Sequence, residues 1–102
     1  MTMTVATTIL EQLGGNRFQV MTGAKSFVGS EDSLHFSIPM SQKINKVFIE
    51  LTELDLYNIF FYNIRGANVK VVHMVDSIDA TQLRDVFTKF TGLETSLGTM
   101  GR

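Results

Sequence analysis

The hydrophobic pattern predicts an α+β domain of two layers. A mostly antiparallel sheet of about five strands carries an N-terminal and a C-terminal helix on one face. Three observations lead there. Apolar residues recur at helical spacing near both ends of the chain and at alternate positions through its middle. The alternating runs are separated by short turn signals, which suit antiparallel neighbours rather than parallel crossovers. Two helices with one apolar face each need cover, and one side of a sheet supplies it. The expected order is α-β-β-β-β-β-α.

The first helix is expected over about Thr4 to Leu13, where Val5, Ile9, Leu10 and Leu13 fall on one face. Gly14-Gly15 stops it, because glycine tolerates left-handed cap geometry. Phe18, Val20 and Thr22 then alternate with Arg17, Gln19 and Met21, which predicts a half-buried strand. A bend at Gly23-Ala24-Lys25 precedes an extended run at Phe27-Val28. The stretch Gly29 to Ser33 is a turn signal. Leu34, Phe36 and Ile38 alternate with His35 and Ser37 until Pro39, which cannot donate to a ladder and ends the strand or sits at an edge.

After a polar Ser41-Gln42-Lys43 loop, Lys46 to Leu51 puts Val47, Ile49 and Leu51 on one side and Phe48 and Glu50 on the other. A turn falls near Glu53 to Asp55. Leu56 to Arg65 has apolar groups on both faces: Tyr57, Ile59 and Phe61 on one, Phe60, Tyr62 and Ile64 on the other. Gly66-Ala67-Asn68 reads as a hairpin turn. Val69, Val71, His73 and Val75 then alternate with Lys70, Val72 and Met74. The last helix is well signalled. Asp79 is an N-cap, Gln82 completes a capping box, and Ile78 with Leu83 has staple spacing. Leu83, Val86, Phe87 and Phe90 recur at helical spacing, and Gly92 ends the run.

Composition bounds the function. The chain has 102 residues, enough for a single domain with an ordered core over about 4–97 and a loose tail over 98–102. With no Cys, disulfides, thiolate metal sites and cysteine nucleophiles are excluded. A net charge of -1 argues against a strongly basic nucleic-acid binder. No apolar stretch reaches the roughly 20 residues of a membrane span, and the N-terminus lacks a basic signal-peptide region. The expectation is a cytoplasmic protein without a membrane partner.

Few residues point to chemistry. His35 and His73 lie on different expected strands without further ligands at metal spacing, so each reads as an ordinary strand histidine. Asp79 is explained as an N-cap, and Asp55 and Asp76 fit turn chemistry. Gly14-Gly15-Asn16-Arg17 follows a helix and precedes an extended run, the reverse of a phosphate-binding loop. No cofactor, metal site or catalytic set is expected. Arg17, Lys46, Arg65 and Lys70 could gather at one sheet edge near Tyr57 or Tyr62, a modest basic and aromatic platform for nucleic acid. The more pointed feature is the dense apolar run Tyr57, Ile59, Phe60, Phe61 and Tyr62. Two helices cover only one sheet face, so this strand predicts a partner surface or a ligand mouth on the other, the plain alternative being a small sheet that curls to cover part of its second face.

The strings QLGGNRFQVMTGAK, LHFSIP, KINKV and LRDVFTKFTGLETSL carry a further signal. Together they resemble a family of small proteins of bacteriophages and related mobile elements. In that family an LGGN-x-F-x-x-MTGAK block opens the chain and a TGL-x-TSL block closes it. The resemblance spans about Ile9 to Leu97. It implies a phage- or prophage-encoded protein made in the bacterial cytoplasm, and it implies no mechanism and no site residues. By analogy with small phage accessory proteins, the expected role is a non-catalytic adaptor or inhibitor. Its partner would be a host or phage protein, or a second copy of the chain. Nucleic-acid binding through the four cations is the alternative, and a hydrolase or metal enzyme built on the two histidines and the Asp cluster is a third reading.

Overall fold

The computed structural model describes residues 4–39 and 43–93. The expected tail over 98–102 and the Ser41-Gln42 part of the polar loop lie outside them. Helix α1 (Thr4–Leu13) and helix α2 (Gly15–Thr22) come first. Five strands follow: β1 (Lys25–Gly29), β2 (Ser33–Ser37), β3 (Lys46–Leu51), β4 (Tyr57–Arg65) and β5 (Asn68–Ile78). A single 3₁₀ turn (Ala80–Gln82) leads into helix α3 (Leu83–Thr91). The sheet is an antiparallel meander in the order β1-β2-β3-β4-β5. This is the two-layer α+β fold that the hydrophobic periods predict.

The helices share one face of the sheet because all three bury their apolar stripes against the same strand residues. Leu34, Phe36, Ile38, Val47, Ile49, Tyr57, Ile59 and Phe61 meet Ala6, Ile9, Leu13, Phe18, Leu83 and Phe87 in one core. Its centre is aromatic. Phe18 stands edge-on to Phe36 and to Phe87, with ring centroids 5.3 and 5.2 Å apart, the arrangement the ring quadrupole favours. At the rim Tyr57 Oη donates to Gln12 Oε1 at 2.6 Å, which ties β4 to α1. Burial, and then the nearby Asp55, push the Tyr57 hydroxyl above its usual pKa.

The segment expected as a strand over Arg17 to Thr22 is helix α2 instead. Only Phe18 and Thr22 need burial, and their i,i+4 spacing satisfies a helix, while Val20 is left 81% exposed. The break between α1 and α2 sits at Gly14-Gly15, with φ of 129° and 61°. The glycines bend the chain without ending its helical path. Helices α2 and α3 then end alike. The buried Thr22 and Thr91 hydroxyls donate to the carbonyls of Phe18 and Phe87, at 2.7 and 2.8 Å. The same oxygens accept from the N–H of Ala24 and of Leu93, both at 3.1 Å. Gly23 and Gly92 follow in left-handed conformation. The capping box of Asp79 with Gln82 is formed as expected.

The last strand is longer than expected and does not alternate simply. Its register with β4 shifts between Tyr57 and Ile59 and again between Phe61 and Tyr62, each shift adding a residue to β5. One falls at Ser77, whose φ is 58°. Val72, His73 and Val75 therefore lie on the helix side, and Val71 and Met74 on the other.

Candidate functional site: the uncovered face of the sheet

No described element covers the second face of the sheet. Its side chains form rows that follow from the strand register. The middle row is Val28, His35, Phe48, Phe60 and Met74, one residue from each strand. The rings of His35 and Phe48 lie 6.2 Å apart, and those of Phe48 and Phe60 5.8 Å apart. On one side runs Lys25, Ser37, Lys46, Tyr62 and Val71, with Ile64 and Val69 paired beyond it. On the other side Ser33 pairs with Glu50 and Glu50 with Asn58. The Asn58 amide donates to Glu50 Oε2 at 3.1 Å and accepts from the Ser77 N–H at 3.2 Å, which pins the bulge of β5 to the neighbouring strands.

The face is apolar and wet. Val28, Val69, Val71 and Met74 are each more than half exposed, and they are four of the six exposed large hydrophobic residues among those described. A shallow hollow of about 380 Å³ opens among His35, Lys46, Phe48, Tyr62, Ile64 and Val69. Next to it Asn45 acts as an extra rung of the ladder. Its side-chain amide donates to the Ile64 carbonyl at 2.8 Å, and its Oδ1 accepts from the Ile64 N–H at 2.9 Å. The Asn63 amide donates to the Lys43 carbonyl at 2.9 Å, so the chain before β3 is stitched to the end of β4. The His35 Nδ1 is buried without a hydrogen-bond partner among the described residues. Burial, and then the Lys46 ammonium, hold its pKa below the usual 6.5.

Charge is sorted along the strands. The β2–β3 loop and the β4–β5 hairpin stand at one end of the sheet, and the β1–β2 and β3–β4 turns at the other. From Lys25 to Asp79 every cation belongs to the first end: Lys25, Lys43, Lys46, Arg65 and Lys70. Every carboxylate in the same span belongs to the second: Glu31, Asp32, Glu50, Glu53, Asp55, Asp76 and Asp79. On the uncovered face the middle row, apolar apart from His35, lies between Lys25 and Lys46 on one side and Glu50 on the other. The chain's net charge of -1 hides this division.

The predicted surface residues divide between two places. Tyr57, Ile59 and Phe61 are core residues, 4%, 0% and 0% exposed, and they are withdrawn from the partner surface. The strand period of two turns them under the helices. Phe60 and Tyr62 are on the uncovered face. The other members of that face were not singled out from the sequence. Phe48 was readable from its alternation with Val47 and Ile49, whereas Val71 and Met74 depend on a bulge that periodicity does not show. Of the four cations, Lys46, Arg65 and Lys70 come to one end of the sheet, as adjacent strands would require. Arg17 lies on α2 in the helical layer. The two histidines do not meet. His35 is on the uncovered face beside Phe48, and the His73 ring packs at a tilt against Phe90 of α3 on the other, with centroids 4.5 Å apart. Among the described residues no group of three His, Cys, Asp or Glu side chains is placed to hold a metal ion.

No helix among the described residues is long and apolar enough to cross a membrane. No protein-family model, curated protein or solved structure matches the chain.

Proposed function

We propose that this chain is a small, non-catalytic binding module, a phage-type accessory protein of the bacterial cytoplasm. It acts by docking a protein partner on the uncovered sheet face. One observation carries the reading: Val28, Val69, Val71 and Met74 stand more than half exposed around the Phe48–Phe60 pair, on the face opposite the core. Contiguous apolar surface of this kind opposes solubility unless something covers it. The half-buried aromatic side chains at its centre are of the residue type enriched in interface cores. The test is a tagged pull-down from prophage-bearing or infected cells, with and without nuclease and at raised salt. Phe60→Asp should abolish recovery of the partner protein while the circular dichroism spectrum and thermal midpoint stay near those of the parent. A partner recovered equally well by Phe60→Asp does not dock on this face.

A second reading has its own support. Lys46 lies beside Tyr62 on the uncovered face, and Lys25, Lys43, Arg65 and Lys70 come to the same end of the sheet, Arg65 and Lys70 in register positions of the opposite face. That cluster suits a short stretch of single-stranded nucleic acid, with the backbone on the cations and a base on the ring. Binding to a labelled oligonucleotide that falls steeply with salt, and weakens in Lys70→Glu, would favour this reading. Salt-insensitive or absent binding removes it.

A further inference from the structure

We propose that the occupant of the uncovered face is a second copy of this chain, stacked sheet on sheet about a two-fold axis that lies along the Val28–His35–Phe48–Phe60–Met74 row. The inference rests on the reading of that face as a docking surface, and it adds the identity of the partner. Its basis is the sorting of charge. A two-fold axis along the middle row reverses the strand direction of the facing sheet. It carries Lys25 and Lys46, the cations on this face, over the acidic end of the other protomer, twice. On β3 itself Lys46 and Glu50 lie two residues either side of Phe48. The rotation therefore sets each Lys46 against the partner's Glu50 and each Phe48 beside its own copy. Facing sheets pack about 10 Å apart, a gap that a lysine and a glutamate reaching from opposite sides can span. Lys46 and Glu50 lie only about 7 Å from the axis at 3.3 Å per residue, so the usual angle of roughly 30° between aligned sheets leaves them in register.

Other arrangements of two copies fit less well. An axis parallel to the strands would face cations with cations and acids with acids. Pairing along the free edge of β5 is opposed by its two bulges and by Lys70, His73 and Asp76 on the strand, features that blunt an edge. The area is adequate for a reversible dimer. Five strands about 4.8 Å apart give a face roughly 24 Å wide and about 20 Å tall, ~500 Å² per side, the size of a weak, transient interface. The closest ring pairs would be aromatic, and the rim would be charged and complementary, as in known interfaces.

The experiment is sedimentation velocity on the full 102-residue chain from micromolar to near-millimolar concentration, at low and high salt, for the parent, Lys46→Glu, Glu50→Lys and the double charge swap. A reversible dimer is expected, weaker at high salt. Each single reversal places like charges together at both symmetric positions and should weaken the dimer roughly tenfold to a hundredfold, and the double swap should restore most of the loss. Circular dichroism on each variant separates loss of association from loss of fold. If one charge reversal proves unfolded, Phe60→Asp replaces it and should leave a folded monomer. A parent that stays monomeric throughout overturns the second-copy inference, and so does a dimer indifferent to all of these changes. The docking reading is judged separately. If the parent is monomeric but Phe60→Asp loses a protein partner in the pull-down, the face binds something other than itself. If Phe60→Asp changes neither assembly nor partner, both proposals fail.

Discussion

Neighbouring residues on β4 do opposite work. Phe61 is fully buried against Phe90, with ring centroids 5.4 Å apart, whereas Phe60 looks out beside Phe48. Phe61→Ala should therefore lower stability to denaturant by about 3–5 kcal/mol, and Phe60→Ala by far less. Equal losses would contradict the assignment of faces. Asn45 is a second single-residue prediction. Replacing it by Ala leaves the N–H and carbonyl of Ile64 without their side-chain partners and should cost about 1–3 kcal/mol in urea unfolding. His35 gives a pH dependence whose sign follows from its lowered pKa. As pH falls through 6.5 the unfolded chain takes up the proton before the folded one does. Stability from this group is therefore complete above 6.5 and is lost below it. The groups around the ring reinforce that direction: Lys46 and Phe48 on β3 and Val28 on β1 offer no carboxylate to hold the imidazolium. His35→Gln should flatten the acid limb of the stability profile, and an unchanged limb would mean that other groups produce it.

At the scale of elements, two helices end with the same device, a Phe four residues before a Thr-Gly pair. Thr91→Val keeps the shape and removes the hydroxyl that accepts from Leu93 N–H. It should destabilise the fold by about 1–2 kcal/mol, measured by chemical denaturation. This motif also marks where the sequence was legible and where it was not. Phe87-x-x-x-Thr91-Gly92 followed a capping box and a long 3.6 period, so α3 is predicted nearly to the residue. Phe18-x-x-x-Thr22-Gly23 closes a helix of only 8 residues, where Phe18, Val20 and Thr22 fit a period of two equally well. The Thr-Gly ending was the signal that distinguishes them, and alternation alone hides it. Strand β5 shows the second limit. Its two bulges depend on partner strands, through the Asn58 contact to Ser77 among others, so the faces of Val71, His73 and Met74 cannot be counted off from Val69.

On the scale of the whole molecule, the fold separates stability from display. All three helices and the buried halves of β2, β3 and β4 make one core, and the other halves of the same strands make an apolar face edged by sorted charge. The sequence predicted such a face from the two-sided run at Tyr57 to Tyr62, but its extent and its polarity belong to the register. Lys46 and Lys70 are distant in the chain, and only the meander brings them to the same end, just as it brings Glu50 and Asp76 to the other. The central claim is that this face is an interface, and its most direct test is the sedimentation comparison of the parent with Lys46→Glu, Glu50→Lys and the double swap. The account predicts a concentration-dependent dimer that each single reversal weakens and the double swap restores. A chain that remains monomeric, or dimerises equally well in every variant, would contradict it.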